Sequence, residues 1–243
     1  MSDFKIVTCC NRIPQEPYYL LSQFVKSLGD NHKDLVVLDE RMGRWDGLGT
    51  KPKWLYQAIK SGMVDTPYVL FTDCWDLVFT KNPETIIDRF VHSFKEYDLV
   101  ISCEKNCFPA DLKEHYDALN PTTEYKYLNS GMIVGKTEAL LKALEAMDLD
   151  NVPDDYRKED GSMEHINDQF LWQQLFLKQP VKIALDYNQV LCQTMHDISI
   201  DELDFNGAMI QNKETKSYPL AIHLNGGSKT SGVREPILEK LGL

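Results

Sequence analysis

The apolar residues of this chain fall into short uninterrupted runs, and the most informative run, at 68–71, is followed closely by two carboxylates. The run has no alternation of polar and apolar residues. This pattern favours a strand buried on both faces, as in a parallel sheet covered by helices. Asp73 follows the run, and Asp76 comes three residues later. Any ligand of these two acids should therefore lie just past the end of the strand.

Strand and helix patterns alternate through the first hundred residues, which predicts right-handed βαβ units and a largely parallel sheet. The later part of the chain is more irregular, so a mixed sheet is expected. No repeat or linker interrupts the pattern, which favours a single domain over residues 1–243. Strands are predicted over 5–9, 35–38, 68–71, 99–102, 132–134, 183–185 and 220–223. Helices are predicted over 18–28, 53–61, 83–94, 137–147, 168–177 and 235–241.

Three connecting features complete this outline. The sequence Asn-Ser-Gly at 129–131 predicts a tight turn directly before the strand at 132–134. Thr137 is expected to cap the helix that begins there. The polar, acid-rich segment 151–161 is expected to form a mobile surface loop.

Composition limits the partners and the compartment. The formal net charge of −11 disfavours a broad nucleic-acid-binding surface but allows a local basic groove. No apolar run approaches the roughly 20 residues that span a bilayer, so no membrane association is expected. The N-terminal residues lack the pattern of a secretory signal, and the six cysteines are too sparse for a disulfide framework. A cytoplasmic chain with reduced thiols is therefore predicted.

The two acids after the central run have two interpretations. Asp73 and Asp76 supply hard oxygen ligands that suit Mg²⁺ or Mn²⁺ bridging to a diphosphate. Alternatively, one ends a strand and the other caps a helix, and backbone amides satisfy both. His223 ends a late apolar run, and an imidazole beside two carboxylates would favour Mn²⁺. The glycine-bearing segment after it, which ends in Lys229, is typical of a phosphate-binding turn or of a solvated loop.

Other loops carry further candidates. Gly47, Gly49 and Lys51 precede a predicted helix, whose N-terminus suits a phosphate. Glu104 follows a predicted strand, and Asp168 opens a helix either as a capping charge or as a carboxylate aimed at the reacting carbon of a sugar. The P-loop and dinucleotide-binding motifs are absent, and so are the serine-hydrolase motifs.

These segments occur in an order that resembles a known family. The segment 71–79, Phe-Thr-Asp-Cys-Trp-Asp-Leu-Val-Phe, is similar to the Phe-Thr-Asp-x-x-Asp-Val-x-Phe of the glycosyltransferase domain of procollagen lysyl hydroxylases and their relatives. The Leu-Asn-Ser-Gly at 128–131 matches that family, and His-Leu-Asn-Gly-Gly-Ser-Lys at 223–229 resembles its His-Gly-Asn-Gly-x-x-Lys. Further similar segments, in the same order, lie at 49–55, 104–109, 167–169 and 185–193.

The resemblance covers nearly the whole chain and implies a GT-A fold, which is a Rossmann-like mixed sheet, mostly parallel, flanked by helices. It implies a UDP-sugar as donor substrate and Mn²⁺ as cofactor, with Mg²⁺ as the alternative. The implied metal ligands are Asp73, Asp76 and His223. The residues implied to bind the donor or cofactor are Thr8, Gly49, Lys51, Asp73, Asp76, Asn225, Gly226 and Lys229. Those implied around the sugar and acceptor are Glu104, Asn129 and Asp168.

The chain departs from the family pattern on the sugar or acceptor side. Phe108 replaces a Trp, Ala110 replaces an acid, and Asn167 replaces the first acid of Asp-Asp-Gln. The donor sugar and the acceptor therefore stay open. Glucose is favoured over galactose, and the acceptor hydroxyl belongs to a hydroxylysine-type peptide, a glycan or a hydroxylated nucleobase.

The predicted reaction is transfer of a hexose from a UDP-sugar to an acceptor hydroxyl, with the metal neutralising charge on the departing UDP. Asp168 would stabilise positive charge in a retaining reaction or deprotonate the acceptor in an inverting one. The loop at 151–161 is expected to become ordered over the donor. The alternatives are a nucleotidyltransferase acting on a sugar phosphate, an inactive transferase-like accessory domain that has lost its site, and a sugar-binding module. A nucleotidyltransferase would release pyrophosphate from a nucleoside triphosphate. An inactive accessory domain should lack the metal ligands, and a sugar-binding module would bind glycans without needing a nucleotide.

Overall fold

The computed structural model describes residues 2–11, 20–147, 149, 156–157, 163–164, 167–207, 209–229 and 231–243. Within these ranges strands and helices alternate along most of the chain. The strands are β1 (Phe4–Cys9), β2 (Leu35–Leu38), β3 (Tyr68–Thr72), β4 (Leu77–Phe79), β5 (Leu99–Glu104), β6 (Tyr127–Lys136), β7 (Tyr156–Arg157), β8 (Met163–Glu164), β9 (Ile183–Leu185), β10 (Cys192–Thr194), β11 (Leu203–Asn206), β12 (Met209–Asn212) and β13 (Ala221–His223). The α-helices are α1 (Leu21–Ser27), α2 (Thr50–Lys60), α3 (Glu84–Ser93), α4 (Lys113–Ala118), α5 (Thr137–Glu145), α6 (Asp168–Lys178) and α7 (Arg234–Leu241).

Six strands form the central sheet in the order β2-β1-β3-β6-β5-β9. β1 is parallel to β2 and β3, and β5 is parallel to β9, whereas β6 is antiparallel to both of its neighbours. The prediction of a mixed, mostly parallel sheet flanked by helices is confirmed. The reversed strand β6 is the part that the alternation of strands and helices did not predict.

Different helices cover the two faces of the sheet. Successive strand residues point to opposite faces, and neighbours in β3 accordingly belong to different clusters. Leu70 packs in a cluster with Phe24 of α1 and Phe90 of α3. Phe71 packs in a cluster with Leu55 of α2. Burial on both faces is the reason that β3 is apolar over successive positions.

Two local predictions are wrong. Residues 129–131 do not form a tight turn, since β6 continues through them, and its pairing with β5 instead shifts register between Ile101 and Cys103. Asn, Ser and Gly favour turns in isolation, but tertiary context overrides this preference: the three residues lie at the irregular part of the β5–β6 pairing, and the Gly131 carbonyl accepts the Asp73 backbone N–H at 2.9 Å. Thr137 does not cap α5, because Lys136 occupies the N-cap position and the buried Thr137 hydroxyl lacks a hydrogen-bond partner among the described residues.

A second, three-stranded sheet brings a late strand close to the central strand β6, since a Cβ at Gly131 would lie 2.0 Å from His223 Cε1. Its order is β10-β13-β4, with β13 parallel to β10 and antiparallel to β4. His223, the last residue of β13, pairs with Leu77, the first residue of β4. Since Leu77 directly follows Asp76, this pairing brings His223 to the two acids.

Some expectations concern segments beyond the described ranges. The predicted loop at 151–161 falls largely outside them, and so does the beginning of the helix predicted at 18–28. In the described chain, no helix is both long enough and apolar enough to cross a membrane. All six cysteines are described, and all are free thiols.

Candidate active site

A cavity of about 1010 Å³ opens where β1, β3 and β5 end. Ligands of open α/β sheets bind beyond the carboxyl ends of the strands, so this is the expected place for a substrate. Cys9, Asp73 and Glu104 line the cavity from the ends of these three strands. Besides Asp73 and Glu104, the candidate residues predicted from the sequence that line it are Lys51, Asp76, Asn129, Asp168, His223, Asn225, Gly226 and Lys229, whereas Cys9 was not predicted.

Asp73, Asp76 and His223 lie together at the cavity wall. Each offers one ligand atom, and these atoms lie within 4.8 Å of one another. His223 Nε2 is 3.3 Å from Asp76 Oδ1 and 3.8 Å from Asp73 Oδ2. Two ligands at right angles on an ion with metal–oxygen distances of about 2.0–2.1 Å are about 3 Å apart, so these separations suit one cation.

The same three residues pass a second test of fit. His223 Nε2 is buried and has no hydrogen-bond partner in the described structure, although an unpaired buried polar atom is costly. The other oxygen of each carboxylate forms an ion pair with a lysine. Lys51 Nζ lies 2.6 Å from Asp73 Oδ1, and Lys229 Nζ lies 2.6 Å from Asp76 Oδ2. The Asp73 and Asp76 carboxylates thus pair with ammonium groups, each leaving one oxygen toward His223.

The charge of Asp76 is secured by its surroundings. Burial raises the pKa of the Asp76 carboxyl, but the neighbouring His223 and Lys229 outweigh burial and hold this pKa well below its usual range. Asp76 therefore stays an anion at any physiological pH and remains a competent cation ligand.

Lys51 joins the metal-ligand region to α6. Its ammonium lies 2.6 Å from Asp73 Oδ1 and 3.6 Å from Asp168 Oδ2. Burial lowers the pKa of Lys51, but Asp168 and Asp73 outweigh it and raise this pKa well above the usual range. Burial raises the pKa of Asp168, and Lys51 only partly offsets the effect.

Asp168 does not cap its own helix. Asn167 is the N-cap of α6, and its side chain accepts a hydrogen bond from Gln169 N at 2.9 Å. The Asp168 carboxylate instead faces Lys51 and accepts a hydrogen bond from Ser130 Oγ at 3.0 Å. Of the two interpretations of Asp168, the geometry favours a carboxylate directed into the cavity.

Glu104 is held by three side-chain amides. Its Oε1 accepts hydrogen bonds from Asn129 Nδ2 and Gln169 Nε2, each at 2.9 Å, and its Oε2 accepts one from Asn225 Nδ2 at 3.0 Å. Burial raises the pKa of Glu104, although the bonds from Asn129 and Gln169 oppose the effect. Glu104 therefore ties together three segments of the cavity wall.

The segment after His223 forms a short 3-10 turn, Gly226–Lys229. Gly226 has φ +56°, and a Cβ there would lie 2.4 Å from His196 Nδ1, so glycine is required. The backbone amide of Gly227 donates to His196 Nδ1 at 3.1 Å, and that of Ser228 donates to the Asn225 carbonyl at 3.3 Å. Both amides are already used in hydrogen bonds that stabilise the turn. The Lys229 ammonium is therefore the group of this segment best suited to bind an anion.

Two predicted residues lie apart from the cavity wall. The Thr8 hydroxyl is buried and donates to the Thr72 carbonyl at 2.7 Å, within the sheet. Gly49 is the N-cap of α2 and precedes Lys51, which does line the cavity. Their predicted contacts with the nucleotide stay predictions.

Sequence reasoning missed several cavity residues. Ser130 and Gln169 line the cavity and lie inside the segments 128–131 and 167–169 that matched the family. Their position in those segments was a signal that could have identified them as site residues. Trp75 lies between the two acids and lines the cavity. Trp45 and His196 occur in no recognised motif and become cavity residues only through the tertiary structure.

Lys51 offers a test of the buried charge network. Replacing Lys51, whose side chain is 12% exposed, with Met is expected to lower the free energy of unfolding by about 3–5 kcal/mol, because Asp168 keeps a buried and unpaired charge. Denaturant unfolding at pH 7 measures this effect. The control is Lys60→Met, which removes a 59% exposed partner of Glu145 and should change little. Equal effects of the two substitutions would contradict the network.

Solved structures with the same architecture identify the fold. Mouse xyloside xylosyltransferase 1 superposes with a TM-score of 0.53 at 10% identity, covering 94% of this chain and 99% of that one. At this identity the likeness establishes the fold alone. The chain therefore has the fold of the GT-A glycosyltransferases.

Sequence comparison then identifies the family. The chain belongs to the PLOD GT domain family, whose model matches residues 22–233. Protein R699 of Acanthamoeba polyphaga mimivirus is 30% identical over 184 residues, which are 75% of this chain and 36% of that protein. The procollagen-lysine,2-oxoglutarate 5-dioxygenase of Drosophila melanogaster is 26% identical over 171 residues, 66% of this chain and 21% of that protein. The chain thus corresponds to about a third and about a fifth of these relatives' lengths.

Proposed function

We propose that this glycosyltransferase moves a hexose from a UDP-sugar to an acceptor hydroxyl and that it requires a divalent cation. The observation that carries the proposal is the convergence of Asp73, Asp76 and His223 within 4.8 Å at the wall of a large cavity. The family membership supports the transfer reaction. Glucose is the favoured sugar, galactose is the alternative, and residues 1–243 are proposed to act as one catalytic domain.

Asp73, Asp76 and His223 would hold the cation. A set of two carboxylates and one imidazole favours Mn²⁺, with Mg²⁺ as the alternative. When bound there, the cation supplies Lewis-acid neutralisation of the negative charge on the leaving UDP. The chain prepares the site by keeping Asp76 ionised and the His223 Nε2 atom unpaired.

The remaining cavity suits a nucleotide-sugar. Its volume, about 1010 Å³, lies at the upper end of the range of about 300–1,000 Å³ for small-molecule sites. Trp45 and Trp75 line it and offer apolar surfaces on which a base stacks. Lys229, beside Asp76, is the lysine that we place next to the diphosphate.

On the sugar side, Asp168 is the proposed reactive carboxylate. Lys51 and Ser130 hold it in place from two sides, which limits its movement relative to the metal ligands. It would stabilise positive charge on the sugar in a retaining reaction or accept the acceptor proton in an inverting one. Phe108, whose exposed fraction is 64%, lies at the cavity and is the proposed contact for the acceptor. That acceptor is a hydroxylysine-type peptide, a glycan or a hydroxylated nucleobase.

The test is UDP release from a panel of UDP-sugars with Mn²⁺ present or removed by a chelator. We expect release from UDP-glucose with Mn²⁺, loss of release after chelation, and recovery when Mn²⁺ is restored. Mass spectrometry of the three acceptor classes then identifies the modified hydroxyl. Pyrophosphate production from UTP and a sugar phosphate, without UDP release, would indicate a nucleotidyltransferase instead.

A further inference from the structure

The side chain of Asn129 lies between a buried carboxylate and the histidine of the candidate metal site. Its amide nitrogen Nδ2 donates to Glu104 Oε1 at 2.9 Å. Its amide oxygen Oδ1 accepts from the backbone N–H of Gly131 at 3.0 Å. A reversed amide would place its oxygen against the carboxylate and its NH₂ group against the Gly131 N–H, so these two partners fix one orientation.

This orientation determines which nitrogen of His223 carries the proton. His223 Nδ1 lies 3.0 Å from Asn129 Oδ1, and an amide oxygen only accepts hydrogen bonds. Nδ1 must therefore be the N–H donor. A metal-bound imidazole is neutral and has one N–H group, so Nε2 is the nitrogen left to bind a cation.

The second ring nitrogen of His223 faces the place where a cation would be held. Nε2 is buried without a hydrogen-bond partner in the described structure, 3.3 Å from Asp76 Oδ1 and 3.8 Å from Asp73 Oδ2. Histidine ligands of metals usually donate their other N–H to a carboxylate, a carbonyl or water, which sets the ring orientation and the tautomer. In this chain the Asn129 amide oxygen accepts that hydrogen bond, and the buried Glu104 carboxylate orients the amide.

We propose that Asn129 is a positioning residue for the metal site: the Glu104 carboxylate orients its amide, and the amide oxygen accepts from His223 Nδ1–H, so that Nε2 faces Asp73 and Asp76. The inference rests on the proposed cation dependence. It changes the role implied by the family resemblance, in which Asn129 was grouped with the sugar and acceptor contacts. Asn129 thus links the sugar-side carboxylate Glu104 to the metal ligands through hydrogen bonds at 2.9 and 3.0 Å.

The tautomer can be measured without metal and without activity. Nitrogen-15 NMR of the metal-free protein distinguishes the two neutral tautomers of each histidine, and the signal missing in His223→Gln assigns His223. We expect a proton on Nδ1, the nitrogen that faces the Asn129 amide oxygen. The opposite tautomer in the native protein would overturn the inference without any Asn129 variant having to fold.

The variant Asn129→Leu keeps the side-chain size and removes the amide. We expect Mn²⁺ affinity, measured by calorimetry, to fall about 10–100-fold, the usual loss when an outer-shell partner is removed. We also expect the Nδ1–H signal of His223 to disappear. The matched control is Asn188→Leu, at an exposed position outside this network, which should bind Mn²⁺ like the native protein.

The outcomes separate this inference from the proposed function. Unchanged Mn²⁺ affinity in Asn129→Leu would overturn the positioning role, even if the native protein releases UDP as proposed. Conversely, native protein that binds Mn²⁺ with the expected tautomer but releases no UDP from any UDP-sugar would contradict the proposed function alone. A weaker affinity together with the changed tautomer would support the positioning role.

Discussion

Replacing Asp73 and Asp76 together with Asn is expected to abolish Mn²⁺-dependent release of UDP from UDP-glucose. Each substitution exchanges an anionic ligand for a neutral amide and leaves the ammonium groups of Lys51 and Lys229 without their 2.6 Å partners. Loss of one group that stabilises transition-state charge costs about 10²–10³-fold in kcat, and two ligands are removed here. The measurement is the initial rate of UDP release at saturating donor.

The control for this double variant is Asp65→Asn, which changes an exposed acid away from the cavity and should keep the native rate. Calorimetric titration with Mn²⁺ separates lost metal binding from lost folding, which circular dichroism reports. An undiminished rate in a folded double variant would refute the assignment of Asp73 and Asp76 as metal ligands.

Gly131→Ala should disable the same site without touching any proposed ligand. A Cβ at Gly131 would lie 2.0 Å from His223 Cε1 and 2.4 Å from Nδ1, closer than real atoms approach. Gly131 lies in β6, between β3 and β5, and its carbonyl accepts the Asp73 backbone N–H at 2.9 Å, so neither partner moves easily. We expect the imidazole to be displaced, Mn²⁺ binding to be lost, and stability to fall by about 1–3 kcal/mol from overpacking.

Gly232→Ala is the matched control for that substitution. Gly232 does not have a positive φ, and the space around its Cβ position is open. Its free energy of unfolding should therefore change by less than about 0.5 kcal/mol, with Mn²⁺ affinity unchanged. Native-like Mn²⁺ affinity in Gly131→Ala would show that His223 is not a ligand or that its ring has room to move.

These two predictions follow from one structural relation. The acids stand on the connection from β3 to β4, and the histidine ends β13, which pairs with β4. Gly131 of β6 provides the space that the His223 ring occupies. The candidate site therefore depends on the small β10-β13-β4 sheet as much as on the central one.

Much of the central sheet was predictable because burial on both faces leaves a local pattern. The strands at 35–38 and 183–185 match their predicted bounds, and β3 extends one residue beyond its prediction to Thr72. The short strands β4 and β10 were missed, since a three-residue strand has too little periodicity to be recognised.

The sequence by itself determined the apolar runs that become β1, β2, β3, β5, β9 and β13, and the acids that follow β3. The order of its motifs indicated the glycosyltransferase family, which the family match confirms. These properties are local or ordered along the chain, so they can be recognised without coordinates.

Only the tertiary structure decided the reversal of β6, the pairing of β13 with β4 that brings His223 to the acids, and the pairing of Lys51 with Asp168. Strand direction and charge pairing depend on partners far away in the chain, and no local pattern encodes them. The same holds for Gly131, whose local sequence predicts a turn. Glycine is required there because the ring of His223, ninety-two residues later in the chain, occupies the space that a Cβ would fill.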